Sequence, residues 1–240
     1  MSATGAPYRT GVLPELRRAI TNVAVPHNEP PAIVLRRRIV VAITLLAGAV
    51  VLGISLRSKP GEANFYWLTL ALAAVWVVGA FISGPLHLGG INWRGRNQRP
   101  VISGTMIGGL LGGIFVLGGL VVREIPPVAA LITRVLSFAH HGWLPLVVLI
   151  TVVNGVAEEM FFRGAVYTAL GRHRPVIIST VLYTAVTMAS GNPMLGFAAI
   201  ILGTACALER RASGGILAPM LTHFFWGLIM VLALPPLFGV

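Results

Sequence analysis

Two glutamates stand side by side, Glu158 and Glu159, directly after the apolar run LPLVVLITVVNGVA, in a chain that has seven acidic residues and no aspartate. A charged carboxylate at membrane depth costs about 3 kcal/mol on insertion scales, so it turns toward a polar cavity or a partner and marks a functional candidate. The bland alternative is a helix end at a water interface. Helical spacing separates the pair. Glu159 and Arg163 are four residues apart and can pair on one face, whereas Glu158 is turned roughly 100° away and shares its face with Asn154. Glu158 is thus the freer carboxylate, and withdrawal from water makes a carboxylate a stronger base toward a water proton. His223, in APMLTHFFWG, is the second candidate. It either hydrogen-bonds a neighbouring helix as a structural group, or orients a water or stabilises an oxyanion. His140, His141 and His173 read as solvated, and the lone Cys206 reads as a small core residue that excludes an internal disulfide.

The elements that must position these groups are membrane spans. With 56% apolar and 10% charged residues and a mean hydropathy of +0.85, the chain is not a soluble globule. Apolar stretches near or above the ~18 residues needed to cross a bilayer recur from Ile39 to the C-terminus. The expected fold class is all-α, a polytopic transmembrane helical bundle of seven or eight helices. Spans are expected at 39–56, 64–83, 101–122, from Trp143 through the glutamates toward Leu170, and at 175–190, 193–208 and 215–234. The stretch 127–141 carries Arg134 and is too short and polar to assign as a span; it is either interfacial or a shallow eighth helix. Gly104, Gly108 and Gly112 recur every four residues, as do Gly109 and Gly113, so the third span can approach a neighbour closely.

The formal charge of +11 sits in short connections rather than along one helical face, which argues for topology and against nucleic acid. Arg36, Arg37 and Arg38, then Arg94, Arg96 and Arg99, then Arg172 and Arg174, then Arg210 and Arg211 occupy alternate connections. The positive-inside rule places them, and the N-terminus, in the cytoplasm. Residues 1–35 contain five prolines and few apolar clusters, and read as a flexible cytoplasmic tail rather than a cleavable signal. The remainder, 36–240, reads as a single membrane domain. Seventeen arginines against one lysine point to a high-GC bacterial genome and so to a bacterial cytoplasmic membrane.

The run EEMFFRG, 158–164, resembles the E-E-x-x-x-R signature of the intramembrane CAAX-protease and bacteriocin-processing family. GGILAPMLTHFFW resembles that family's last motif, in which a small, proline-containing lead-in precedes a histidine on a late span. The resemblance covers about 143–234, the protease-like region. It implies a membrane-embedded endopeptidase in which the first glutamate activates water, histidines on two later spans assist, and an asparagine helps stabilise the tetrahedral oxyanion. Carried over by position, Glu158 is the base. The family's F-x-x-x-H pattern falls on Tyr183-Thr-Ala-Val-Thr187, so Thr187 takes the histidine's place. The H-x-x-x-N pattern reads His223-Phe-Phe-Trp-Gly227.

Threonine is no base near neutral pH and glycine has no side chain, so two expected polar groups are replaced. Asn154 stands one turn before Glu158 where an amide could compensate, and Thr187 or Tyr183 could donate a hydrogen bond to water or substrate. The family name also raises zinc. A catalytic zinc site uses about three protein ligands, and Glu158 and His223 supply two, so no metal is expected. The expected function is hydrolysis of a membrane-associated or lipidated peptide or protein, with Glu158 activating water and His223 assisting, beside the supporting pair Glu159 and Arg163. Two alternatives stay open. One is a family member without proteolysis that binds peptides or membrane partners, favoured by Thr187 and Gly227; the other is a small proton-coupled transporter, for which no repeated pair of broken helices speaks.

Overall fold

Proline opens helix after helix in this chain. Its missing N–H removes one of the donors that a helix start leaves unpaired, and its fixed φ suits the first turn. A computed structural model describes residues 17, 21–24, 29–93 and 95–240. Most of the expected tail, 1–16, 18–20 and 25–28, and also Arg94, lie outside the described residues. Among those described, eight helices form: α1 Pro31–Ser55, α2 Ala63–Ser83, α3 Val101–Val122, α4 Pro126–His140, α5 Leu144–Leu170, α6 Pro175–Thr187, α7 Pro193–Ser213 and α8 Leu217–Leu237. Helices α1, α4, α5, α6 and α7 all carry proline in the first two positions.

Six of the eight, all but α4 and α6, are long and apolar enough to cross a membrane. Spanning segments must be helical because lipid offers no partners for free backbone groups. The 15-residue α4 is about 22 Å long, short of the ~30 Å hydrocarbon core, so it forms the eighth helix without the length of a span. Helix α6, expected to span, is also short; a 3₁₀ turn, Met188–Ser190, carries it to Gly191 at φ 71°. Between α2 and α3 a small antiparallel hairpin pairs β1, Ile91–Trp93, with β2, Arg96–Gln98.

The segments that hold Arg38, the β1–β2 hairpin, the end of α5 and the α7–α8 connection gather at one end of the bundle. There Gly90 N–H donates to Ser213 O, Ile216 N–H to His87 O, Arg38 Nε to Ala169 O and Ala24 N–H to Arg211 O. This is the end that the positive-inside rule leads one to expect in the cytoplasm. At the other end Asn192 Nδ2 of the α6–α7 turn donates to Leu131 O of α4 at 2.7 Å.

Two helices run further than the charge pattern suggests. Helix α1 starts at Pro31 rather than Ile39, because Arg37 is fully buried and satisfied: its guanidinium pairs with Glu29, bonds Ser83 Oγ at 3.0 Å and reaches Pro85 O. Helix α7 continues through Glu209, Arg210 and Arg211, expected as a turn, until Gly214 adopts φ 71° and ends it. Arg210 tolerates that position because its Nε donates to Arg163 O at 2.8 Å and its guanidinium lies over the Tyr167 ring.

Two cores fix α5 and α8. Trp76 of α2, 1% exposed, stacks on Phe161 with ring centroids 4.9 Å apart and leans on Phe162, so the motif's aromatics anchor α5 to the α1–α2 hairpin. On the other flank α3 meets α8 across its first glycine ridge. A Cβ at Gly108 would lie 2.6 Å from Thr222 O, whereas nothing stands within 4 Å of one at Gly109 or Gly113. Gly108→Ala should therefore lower stability by about 1–3 kcal/mol through overpacking against backbone. Gly109→Ala should leave it unchanged or slightly raised, as measured by thermal unfolding in detergent.

Candidate active site

Helix α5 places Thr151, Asn154 and Glu158 on one face, at spacings of three and four. At 1.5 Å per residue Glu158 lies about 20 Å from either end of α5, near the middle of this membrane-spanning-length helix. Directly after Glu159 the helix widens into a π-helical segment, Met160–Val166, before its last turn, Tyr167–Leu170. Such segments redirect side chains and concentrate at functional sites.

The two glutamates occupy different environments. Glu159 is fully buried, and its two oxygens serve two helices: Oε2 pairs with Arg163 Nε at 3.1 Å and Oε1 accepts from His223 Nδ1 at 3.0 Å. Arg163 is fully buried too; it donates from Nη2 to Gly203 O of α7 at 2.9 Å and stands over the Tyr183 ring at 4.9 Å. Glu158 keeps 22% of its side chain exposed. Its Oε2 accepts the Tyr183 hydroxyl at 2.8 Å and stands 4.0 Å from His223 Nε2. The structure thus brings together Glu158, Glu159, Arg163, Tyr183 and His223 from three helices.

The histidine's orientation follows from its partner. A carboxylate accepts, so the bond to Glu159 puts a proton on Nδ1, and in the neutral ring the Nε2 lone pair faces Glu158. Close approach depends on Gly155, where a Cβ would lie 2.8 Å from His223 Cδ2. Across the ring Trp226 meets the imidazole edge-on, with centroids 5.7 Å apart.

The remaining expected residues are committed elsewhere. Thr187 Oγ1 donates to Tyr183 O at 2.9 Å, and Asn154 Nδ2 donates to Ile150 O at 2.9 Å, one turn back on its own helix. Asn154 Oδ1 and Trp226 Nε1 are buried without partners. At Gly227 a Cβ would meet Thr151 Cγ2 at an ordinary 3.5 Å, so this position has room for a side chain it lacks. His140, His141 and His173 are exposed.

A metal fits this donor set poorly. His223 Nδ1 is taken by Glu159, leaving Nε2 and the Glu158 carboxylate as two donors, and among the described residues no group of three His, Cys, Asp or Glu could hold a metal ion. Sequence spacing identified the Glu159–Arg163 pair but missed the bond from Glu159 to His223, the π segment and the Arg210 contact. The Glu159–His223 bond joins residues 64 positions apart, which helical spacing cannot reach; Gly155, facing the imidazole, is the one local signal that α8 passes close.

Residues 140–229 match the model of a family described as type II CAAX prenyl endopeptidase, Rce1-like. The match runs from the end of α4 through α5, α6 and α7 into α8, and so takes in each of the residues just described. No curated protein and no solved structure gives a significant match to the chain.

Proposed function

We propose that this chain, whose residues 140–229 match the Rce1-like family of type II CAAX prenyl endopeptidases, is an intramembrane endopeptidase in which Glu158 activates the attacking water. The observation that carries the reading is the 4.0 Å gap between Glu158 Oε2 and His223 Nε2 near the middle of α5. That gap is too long for a direct hydrogen bond and suits one water. A water ~2.8 Å from each atom makes an angle of about 90° between them, so it can donate one proton to each and turn its lone pairs outward. Glu158, the partly exposed carboxylate, receives the water. Glu159, sealed from solvent, holds the imidazole with Nδ1 protonated, in the way a carboxylate orients a catalytic histidine.

Chemistry then proceeds by general base catalysis. Glu158 takes a proton from water as the water oxygen bonds to the peptide carbonyl carbon, and the carbonyl electron pair moves onto its oxygen. The oxyanion pair re-forms the carbonyl as the C–N bond breaks, and Glu158 passes its proton to the leaving nitrogen. A carboxylic acid and an amine result. The substrate is a membrane-associated or lipidated peptide or protein, because the site lies within the bilayer, and the setting consistent with the arginine-rich loops is a bacterial cytoplasmic membrane.

The test uses the full chain in nanodiscs with prenyl-cysteine peptides bearing a three-residue C-terminal extension and with unlipidated apolar peptides, in water enriched in ¹⁸O. The expected result is a cleaved peptide carrying ¹⁸O in its new carboxylate, with a loss of about 10²-fold in His223→Gln, which keeps a polar group but no ring nitrogen. Absence of cleavage across both peptide classes would refute it. The hydroxyl of Thr187, tied to its own helix, and the bare Gly227 favour a second reading, a peptide-binding protein without proteolysis. Cleavage that appears solely in the double variant Thr187→His with Gly227→Asn would establish that reading instead.

A further inference from the structure

Oxyanion stabilisation is usually the largest single contribution to acyl-transfer catalysis, and it needs a donor aimed at the carbonyl oxygen. The groups that the family pattern provides for this purpose are missing here. Thr187 spends its hydroxyl proton on Tyr183 O and Gly227 has no side chain, while Asn154, outside that pattern, turns its amide nitrogen back to Ile150 O of its own helix. His223 has its Nδ1 turned to Glu159, and its neutral ring, protonated there, presents a lone pair at Nε2. What remains facing Glu158 is the Tyr183 hydroxyl, at 2.8 Å from Oε2.

Tyr183 also stands where the family pattern has phenylalanine. The hydroxyl is therefore a group this chain adds, on the same helix face as Thr187 and one turn before it. Its ring is fixed on both sides, edge-on to Phe162 with centroids 4.9 Å apart and beneath the Arg163 guanidinium, so the oxygen has little freedom to wander.

We infer that Tyr183 takes over the task left open at Thr187: its hydroxyl holds Glu158 in the resting site and donates to the oxyanion when substrate reacts. This rests on Glu158 being the base. As Glu158 accepts the water's proton it loses its negative charge and becomes a weaker acceptor for the Tyr183 O–H. In the same step the substrate carbonyl oxygen gains the charge that Glu158 has lost, within one attacking water of Oε2. The phenol proton then bonds the new oxyanion, with no proton transferred. When the carbonyl re-forms and Glu158 gives its proton to the leaving nitrogen, the hydroxyl returns to the carboxylate.

Tyr183→Phe removes one oxygen and keeps the ring between Phe162 and Arg163, so the fold should persist, as thermal unfolding will check. With the peptides described above, Tyr183→Phe should lose about 10²-fold in kcat at nearly unchanged KM. Adding Thr187→His to Tyr183→Phe, which recreates the family's pattern, should recover at least tenfold, a rescue that a packing role for Tyr183 would not show. Tyr183→Phe as active as wild type, while Glu158→Gln is inactive, overturns this inference and leaves the base in place; so does a Tyr183→Phe loss that Thr187→His fails to relieve. Glu158→Gln as active as wild type, or a wild-type chain inactive on every peptide, overturns the underlying reading and this one with it. Trp226 Nε1, beside the imidazole, is a buried donor without a partner, so a loss seen in Trp226→Phe but absent from Tyr183→Phe would assign the oxyanion there.

Discussion

Glu158→Gln is expected to reduce peptide cleavage by about 10³-fold or more while leaving the protein folded. Glutamine has nearly the shape of glutamate, and its carbonyl oxygen can still accept the Tyr183 hydroxyl that Glu158 Oε2 now accepts at 2.8 Å. The amide cannot take a proton from water. A group that is 22% exposed beside a histidine has little packing to lose, so the effect should fall on kcat with the melting temperature nearly constant. The measurement is turnover of the same peptides in ¹⁸O-enriched water by equal amounts of folded wild type and variant. Residual activity within tenfold of wild type would remove Glu158 from the chemistry, whatever its partners.

Glu159→Ala is expected to act in the opposite way, through the fold. It strips the fully buried Arg163 of its carboxylate and His223 of its Nδ1 acceptor at once. Removing one partner from a buried ion pair typically costs 3–5 kcal/mol, roughly, because a charge stays behind without compensation. Much of that penalty should vanish when the charge goes too, so Glu159→Ala with Arg163→Met should be more stable than Glu159→Ala alone. Cys206 supplies the readout: it is fully buried and reacts with a thiol dye once the bundle opens. A single variant that melts with wild type would show that the pair contributes little and that Tyr183 and Gly203 suffice to hold the guanidinium.

What could be read in the sequence was what depends on neighbours along a helix. The four-residue spacing of Glu159 and Arg163 and the turn of Glu158 away from them follow from helical geometry alone, and of the seven apolar runs expected as spans six have the length and the one at 175–190 falls short. Charge misled where burial was matched. Arg37 and Arg210 were read as marking helix ends because an arginine in lipid is costly, yet each sits inside a helix with its donors satisfied by groups from other elements, Glu29 and Ser83 in one case and Arg163 O in the other. Ser83 and Arg163 O lie 46 and 47 residues away, and even Glu29, eight residues before Arg37, stands outside the helix, so no helical spacing names them. The division of labour between the glutamates was likewise incomplete, since spacing gave Glu159 one partner and the fold gives it two.

The distance between Glu158 and His223 is set by residues that carry no chemistry. Helix α8 is drawn against α3 at Gly104 and Gly108, with Thr222 bonding Gly104 O at 3.0 Å, while Gly155 lets the imidazole of the next residue settle against α5. Three hydrogen atoms in place of side chains therefore act as the calibration of the catalytic gap. A random mutagenesis screen for inactive protein should return lesions at these glycines, including two on a helix without a single ionisable residue. Substitutions there could shift the histidine by fractions of an ångström from the far side of α8, leaving every polar group of the site untouched.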